Sequence, residues 1–264
     1  AVGGLTLNGE FVVSLSVTTA ANSYTITAAS NASSSATGGG TVSAAYQINV
    51  GNPFAVPIEG WGASSWGSGA WNVGESSTTE IRFFSQSNFG EDLIFGNNGG
   101  SIFYWDATGS VTTRAVLLST LSGASDVPAI QNLILVSDIS RFVFCFGTNP
   151  IGSNTIDPTL LRWSDQEDAT NWTPSATNQA GSLRLSRGTK IVAASQARQE
   201  VLVWTDSSLY SLQYVGAPAV WAATLVGENI SISSQNAVAY ANGVAYWMGK
   251  DKFYMYDGRT QPLK

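Results

Sequence analysis

A short pattern of strands recurs between residues 80 and 264, and it limits what this chain can fold into. Two apolar runs are separated by a tight polar turn, and a third run ends in a large apolar residue followed by a polar residue. The clearest copy is VAYWMGKDKFYMYDGR, residues 244–259. The last large residues of the four copies are Trp105, Trp163, Leu212 and Tyr256. Their spacing is near the ~40–50 residues of one β-propeller blade.

Each copy contains three successive strand candidates, and three copies have a fourth. First strands are predicted at 81–84, 133–136, 191–194 and 237–240, and the polar turns SQSN, SDIS, SQAR and ANG follow them. Second strands are predicted at 93–95, 142–146, 201–204 and 244–248. Third strands are predicted at 101–105, 160–163, 209–212 and 253–256. Candidate fourth strands are at 114–118, 182–185 and 222–226.

This repeat predicts an all-β fold, a β-propeller-like repeat of antiparallel blades over residues 80–264. The strands are rich in β-branched and aromatic residues, and no helical pattern of about ten residues separates the copies. Radial stacking of short antiparallel sheets buries their faces and protects their edges. Four blades are few, so either the ring is small or residues outside this chain complete it. The end of the sequence at Lys264, just after a strand, favours completion from outside.

Two further regions precede the repeat. Residues 1–50 are predicted to form a small, platform-like β module, because Asn8-Gly9 is a strong hairpin signal between alternating runs. Residues 51–79 form a Gly/Trp-rich linker or arm, in which Trp61, Trp66 and Trp71 match neither helical nor strand periodicity. The three tryptophans are interpreted as a subunit interface. An intrachain loop and a carbohydrate platform remain alternatives.

Composition favours a chain that is partly covered by other subunits. Hydrophobic residues make up 44% and charged residues only 11%, against about 25% charged residues in ordinary domains. A secreted or environmental β protein rich in Ser, Thr and Asn is the alternative. The net charge of −6 argues against a DNA-gripping protein, since phosphate binding needs clustered Lys and Arg. The same negative charge is compatible with the wall of a channel through which DNA passes without being bound.

No catalytic centre, cofactor site or metal site is predicted, so we expect that the chain is not an enzyme. Histidine is absent, which removes the commonest general base and metal ligand. The single cysteine, Cys145, lies in an apolar run and is predicted to be buried. The acidic run 165–168 is interpreted as a solvated turn, with a calcium site as the alternative. A glycosidase carboxylate pair stays a weaker possibility. The sequence contains no signal peptide and no transmembrane run.

One segment resembles a known family. It is LLRWSDQEDATNW, residues 160–172, and the matching positions are Arg162, Trp163, Ser164, Asp165, Asn171 and Trp172. The Gly-Trp-Gly series at 60–71 and the ending Tyr256-Asp257-Gly258 agree with it. Together they resemble the tail nozzle, or tail tubular protein B, family of short-tailed double-stranded DNA phages. The Gly-Gly-Glu-rich opening expected of that family is not found here.

The resemblance implies a structural role in a virion tail. It implies a homo-hexameric ring below the portal and adaptor proteins, with fibres or spikes attached outside. Genomic DNA would pass through the lumen during ejection without sequence-specific binding, and no small-molecule substrate is implied. The alternative from a different class is a carbohydrate-binding or adhesin-type β-propeller.

Overall fold

The strands of this chain fall into small antiparallel sheets. A computed structural model describes residues 3–7, 11, 13–14, 25–38, 59–60, 75–76, 83–138 and 140–263. These residues are all-β, with twenty strands, one 3₁₀ turn at Leu118–Thr120 and no α-helix among them. Nor does the described part hold a helix long and apolar enough to cross a membrane. Contacts divide the chain into two compact units, Ala1–Asn49 and Val50–Lys264.

The described residues of the first unit include a short antiparallel pair, β1 (Val13–Ser14) with β2 (Thr25–Ile26). A second contact in this unit joins Ser33 to Gly3. Both the backbone N–H and the hydroxyl of Ser33 donate to the Gly3 carbonyl. The predicted Asn8-Gly9 turn and the predicted strand at 41–50 lie outside the described residues. The second unit begins with another short pair, β3 (Glu59–Gly60) with β4 (Glu75–Ser76).

Four sheets of four strands each follow in the second unit. Sheet A contains β5 (Phe84–Phe89), β6 (Asp92–Asn97), β7 (Phe103–Trp105) and β8 (Val116–Leu117). Sheet B contains β9 (Leu133–Val136), β10 (Val143–Thr148), β11 (Asp157–Trp163) and β12 (Gly181–Arg184). Sheet C contains β13 (Ile191–Gln196), β14 (Val201–Thr205), β15 (Ser208–Gly216) and β16 (Val220–Glu228). Sheet D contains β17 (Val238–Ala241), β18 (Val244–Met248), β19 (Phe253–Tyr256) and β20 (Thr260–Pro262).

Every sheet is an antiparallel meander, in which each strand pairs with its neighbour in sequence. The predicted strands at 133–136, 244–248 and 253–256 are confirmed with the same bounds. The first strands of consecutive sheets also lie against one another, β5 beside β9, β9 beside β13 and β13 beside β17.

The predicted polar turn after the first strand of the first copy is wrong. Residues 85–88, SQSN, lie inside β5 rather than after it. Ser85 and Ser87 face sheet B, where their hydroxyls accept hydrogen bonds from the N–H groups of Ile134 (2.9 Å) and Val136 (3.1 Å). These N–H groups belong to β9, the edge strand of sheet B. The serines therefore satisfy edge donors that a sheet partner would otherwise take.

The last copy also differs from expectation, because Tyr256-Asp257-Gly258 does not end its sheet. The chain turns at Asp257 and Gly258 and returns as β20, which pairs with β19. Gly258 has φ of +105°, a conformation that L side chains rarely adopt. The motif is thus the hairpin turn between the third and fourth strands.

Among the described residues, the hydrophobic core forms three clusters, one between each pair of consecutive sheets. Between sheets A and B lie, among others, Ile94, Leu118, Val136, Val143 and Trp172. Between sheets B and C lie, among others, Phe142, Phe144, Phe146, Trp163 and Trp221. Between sheets C and D lie, among others, Leu202, Trp204, Trp247, Tyr254 and Tyr256. Each sheet therefore contributes apolar side chains to its neighbours, as layered β folds require.

Candidate functional site

Arg162, the first residue of the family-like motif, is a buried structural cation. It lies on β11, and only 2% of the residue is exposed. Its guanidinium donates to the backbone carbonyls of Asp126 (2.6 Å), Asn149 (3.3 Å) and Trp172 (3.4 Å). Burial lowers the pKa of Arg162 from its ordinary value. The arginine ties three loops together, and its donors point at carbonyls rather than at an open surface.

Trp163 and Ser164 complete the buried end of β11. The Trp163 Nε1 donates to the Gln179 carbonyl at 2.8 Å, and its ring lies over Gly181. A Cβ at Gly181 would stand 2.5 Å from a ring carbon, so only glycine fits under the indole. The fully buried Ser164 hydroxyl accepts from the Val143 N–H at 3.0 Å and donates to the Asp165 carbonyl at 2.9 Å. Both side chains hold β11 in place.

Asp165, Asn171 and Trp172 fold the following loop back on itself. Asp165 donates its N–H to the Asn171 carbonyl at 2.8 Å, and its carboxylate accepts from the N–H of Gln179 at 2.8 Å. The Asn171 amide oxygen accepts from the Ser125 hydroxyl at 3.1 Å. The buried Trp172 donates its N–H to the Ser125 carbonyl. Residues 164–172 are therefore a compact part of the β11–β12 connection of sheet B, and Trp172 packs in the core between sheets A and B.

The acidic run 165–168 is used within the same loop. Asp168 accepts from both the N–H and the hydroxyl of Thr170, at 2.8 and 2.7 Å. Glu167 pairs with Arg141 at 3.2 Å. Among the described residues, no group of three Asp, Glu, Cys or His side chains could hold a metal ion. The contacts of Asp168 with Thr170 are those of a turn.

The ending Tyr256-Asp257-Gly258 connects sheet D to sheet C. Tyr256 is buried, and burial together with the nearby Glu200 carboxylate raises the pKa of its phenol. Glu200, which precedes β14, also accepts a hydrogen bond from the Ser211 hydroxyl. Asp257 accepts from the N–H of Arg259 at 3.2 Å, which stabilises the hairpin turn. These contacts give the motif a packing role.

The tryptophans separate into described and undescribed groups. Trp61, Trp66 and Trp71, the predicted subunit interface, lie outside the described residues. Five of the described tryptophans are buried in the sheet cores, namely Trp163, Trp172, Trp204, Trp221 and Trp247. Trp105 is half-buried, and its Nε1 donates to the Thr113 carbonyl at 2.9 Å. Within the described part of the chain, the tryptophans therefore form no exposed aromatic platform.

Asp92, Tyr104 and Cys145 have structural roles in the described part of the chain. Asp92 accepts from the Tyr104 hydroxyl and from the Ala107 N–H, which fixes the β7–β8 loop. Burial, followed by the hydrogen bond to Asp92, raises the pKa of Tyr104. Cys145 is fully buried, as predicted, and burial raises the pKa of its thiol. A thiol held neutral in this way is a poor nucleophile.

An exposed apolar face lies at each end of the sheet series, and the sequence analysis did not locate either. On sheet D the strands alternate, so that Trp247 is buried while Met248, at 45%, and its cross-strand partner Phe253, at 57%, are exposed. We call this surface the D face; its residues are Tyr246, Met248, Phe253 and Leu263. On sheet A the exposed large apolar residues are Phe83, Phe84, Val116 and Leu117; Phe84 and Leu117 lie on the side away from the buried Ile94, and we call that side the A face. In the sequence, the alternation of period two in VAYWM was the signal that could have located the D face.

Comparison of the chain with models of known protein families matches none, and no curated protein matches it.

Proposed function

We propose that this chain is a structural subunit of the tail of a short-tailed double-stranded DNA phage, a nozzle-type ring that conducts DNA during ejection. In this proposal the four sheets are blades of a β-propeller, and other tail proteins attach to the outside. The proposal combines the resemblance of residues 160–172 with the exposed apolar faces of the two terminal sheets.

The propeller arrangement is supported by how the sheets meet. The first strands of sheets A to D lie side by side in chain order. Gln235, just before β17, reaches the Phe84 carbonyl at the start of β5 with a distance of 3.5 Å. In a β-propeller, the first strands of successive blades lie side by side around the central axis. The first strands of sheets A to D have the neighbours expected of this arrangement.

The observation that carries the assembly role is the exposure of the A face and the D face. Large exposed apolar patches on a soluble protein mark contact surfaces. In each internal interface, one sheet packs its apolar face on the next sheet, and the two terminal sheets retain one such face each. Contacts between different patches are heterologous and can close a ring of identical subunits. The family-like motif, by contrast, has most of its large side chains buried, since Arg162, Trp163 and Trp172 have packing roles within the fold.

The oligomeric state tests this proposal. We expect the purified chain to form a ring with six-fold symmetry, seen by light scattering and by electron microscopy of single particles. The double variant Met248→Ser with Phe253→Ser should reduce the mass, since it removes two apolar side chains from the D face. Val111→Ser is the matched control, because Val111 is 85% exposed but lies in the β7–β8 loop. A monomer at all concentrations, or a monomer that binds sugars, would overturn the ring.

A further inference from the structure

The outer edge of β16 is unlike the outer edges of the other three sheets. β16 is nine residues long, contains no proline, and carries its single charge at the last residue, Glu228. The other outer strands are two, four and three residues long in β8, β12 and β20, and β20 contains Pro262. Short strands and proline are common devices that prevent a sheet edge from pairing with another chain. Sheet C lacks both devices.

The backbone of this edge is open in the described part of the chain. Within that part, the only group from outside the β15–β16 hairpin that bonds to the β16 backbone is the Thr260 hydroxyl. It reaches the Val226 carbonyl at 3.2 Å. Irregularities in the β15 pairing stand at both ends of the strand, so the regular stretch is residues 221–225. Over these five residues the edge offers unpaired donors and acceptors.

We propose that this edge pairs with the same edge of a second copy, as antiparallel β16 strands related by a two-fold axis at Ala223. The regular stretch is centred on that residue. Ala222 then stands opposite Thr224 of the second copy, and Trp221 stands opposite Leu225 of the second copy. Leu225, which is 36% exposed, would be covered by the pairing.

Charge and side-chain size both allow this pairing. Residues 221–225 carry no charge, so no like charges stand opposite each other. The two copies of Glu228 would be roughly 30 Å apart at about 3.4 Å per residue, well beyond the ~8 Å screening length. The alanines at 222 and 223 leave room for a close approach. Because the paired stretch is short, we expect dimerisation to depend on protein concentration.

This inference is independent of the proposed tail function, because a two-fold contact differs from the heterologous contacts that close a ring. The first test is mass in solution over a concentration series. The unmodified chain should reach twice the mass of its smallest unit, whether that unit is one chain or a ring. Thr224→Lys, at an exposed position, should lower the mass about two-fold, since an edge lysine blocks strand pairing.

Two controls accompany this variant. Ser182→Lys places the same charge at an exposed position on β12, the outer strand of sheet B, and should leave the mass unchanged. Thr224→Val keeps the shape of the side chain and should retain the dimer. Equal loss of mass in Thr224→Lys and Ser182→Lys, or no loss in either, would overturn the proposal.

Cysteine cross-linking tests the register. Ala223→Cys alone should form an intermolecular disulfide on oxidation, because directly opposed Cα atoms stand about 4.5–5.5 Å apart. Ala222→Cys and Thr224→Cys should each stay uncross-linked alone and should cross-link when mixed. The native Cys145 is buried and does not interfere. Cross-linking of Ala222→Cys with itself, or none in any sample, would contradict the two-fold pairing.

Discussion

Two sheet-to-sheet interfaces of this chain join neighbouring sheets by different means. Between sheets B and C the apolar core is rich in aromatic rings; the Phe144 and Trp221 rings pack edge to face with centroids 4.9 Å apart. Between sheets A and B, polar groups are added to the apolar core, namely the buried side chains of Arg162 and Ser85 and the half-buried hydroxyl of Ser87. The aromatic interface gains stability from buried area, and the polar interface gains specificity because each donor needs its own acceptor.

The largest effect is expected in the aromatic interface. Phe144→Ala removes a fully buried ring that packs against Phe146, Trp163 and Trp221. We expect the free energy of unfolding to fall by about 3–5 kcal/mol, from lost burial and the cavity left behind. Urea unfolding followed by tryptophan fluorescence measures it. Phe144→Leu should lose clearly less, and equal losses would show that ring packing is not what holds this interface.

The next effect is expected at the buried arginine of the polar interface. Arg162→Ala leaves three backbone carbonyls without their donor, and we expect a loss of about 2–4 kcal/mol. Arg184→Ala is the matched control on the adjacent strand, since its side chain is 64% exposed and pairs with Asp157. That control should lose less than about 1 kcal/mol. If both variants lose the same amount in urea unfolding, the Arg162 network has no structural role.

A smaller effect is expected at the serine contacts. Ser85→Ala deprives the buried Ile134 N–H of its acceptor, and we expect a loss of about 1–2 kcal/mol. Hydrogen exchange gives a local readout, because the Ile134 amide should exchange faster while amides within sheet D stay unchanged. Ser182→Ala, at an exposed position, serves as the control. Unchanged exchange at Ile134 would mean that the hydroxyl does not protect the edge of β9.

The smallest effect is expected from acid, at the surface of sheet B. Burial alone would raise the pKa of Asp157, but hydrogen bonds from Thr159 and Arg184 outweigh it and hold the pKa below its ordinary value. A carboxyl whose pKa is lower in the folded chain stabilises the fold above its unfolded pKa of about 3.9. That contribution is lost as pH falls through the folded pKa.

Asp157→Asn should therefore weaken the pH dependence of stability below about pH 4. Urea midpoints of the variant and the unmodified chain, measured between neutral and acidic pH, test this. Parallel curves over the whole range would show that Asp157 does not contribute. Arg162 offers no such acid dependence, because a guanidinium stays protonated throughout.

The sequence predicted the sheet interiors better than the contacts between sheets. Alternating apolar residues placed 244–248 and 253–256 correctly, because period-2 burial is a local property of a strand. The serines of β5 were misread as a turn, since only the presence of β9 explains polar residues there. β20 was missed because it is only three residues long, contains a proline and pairs only after Gly258 turns the chain.

The candidate site was predictable in its residues but not in its role. Residues 162–172 were singled out, and the structure brings them together as the end of β11 and the loop that follows it. Arginine within the apolar run LLRW was a signal of a buried cation. Its three carbonyl partners come from separate loops, and one sequence does not reveal such long-range contacts. The A face and the D face depend on which sheets are terminal, which strand patterns alone leave open.

The meander topology of the four sheets has a consequence for how the chain reaches this fold. Every hydrogen-bonded strand pair in sheets A to D joins consecutive strands, so their contact order is low. Chains built from such nearest-neighbour units can nucleate in any one unit and propagate to the next. Loss of a single hairpin should therefore slow or stall propagation locally, while distant sheets still acquire their own strand pairing.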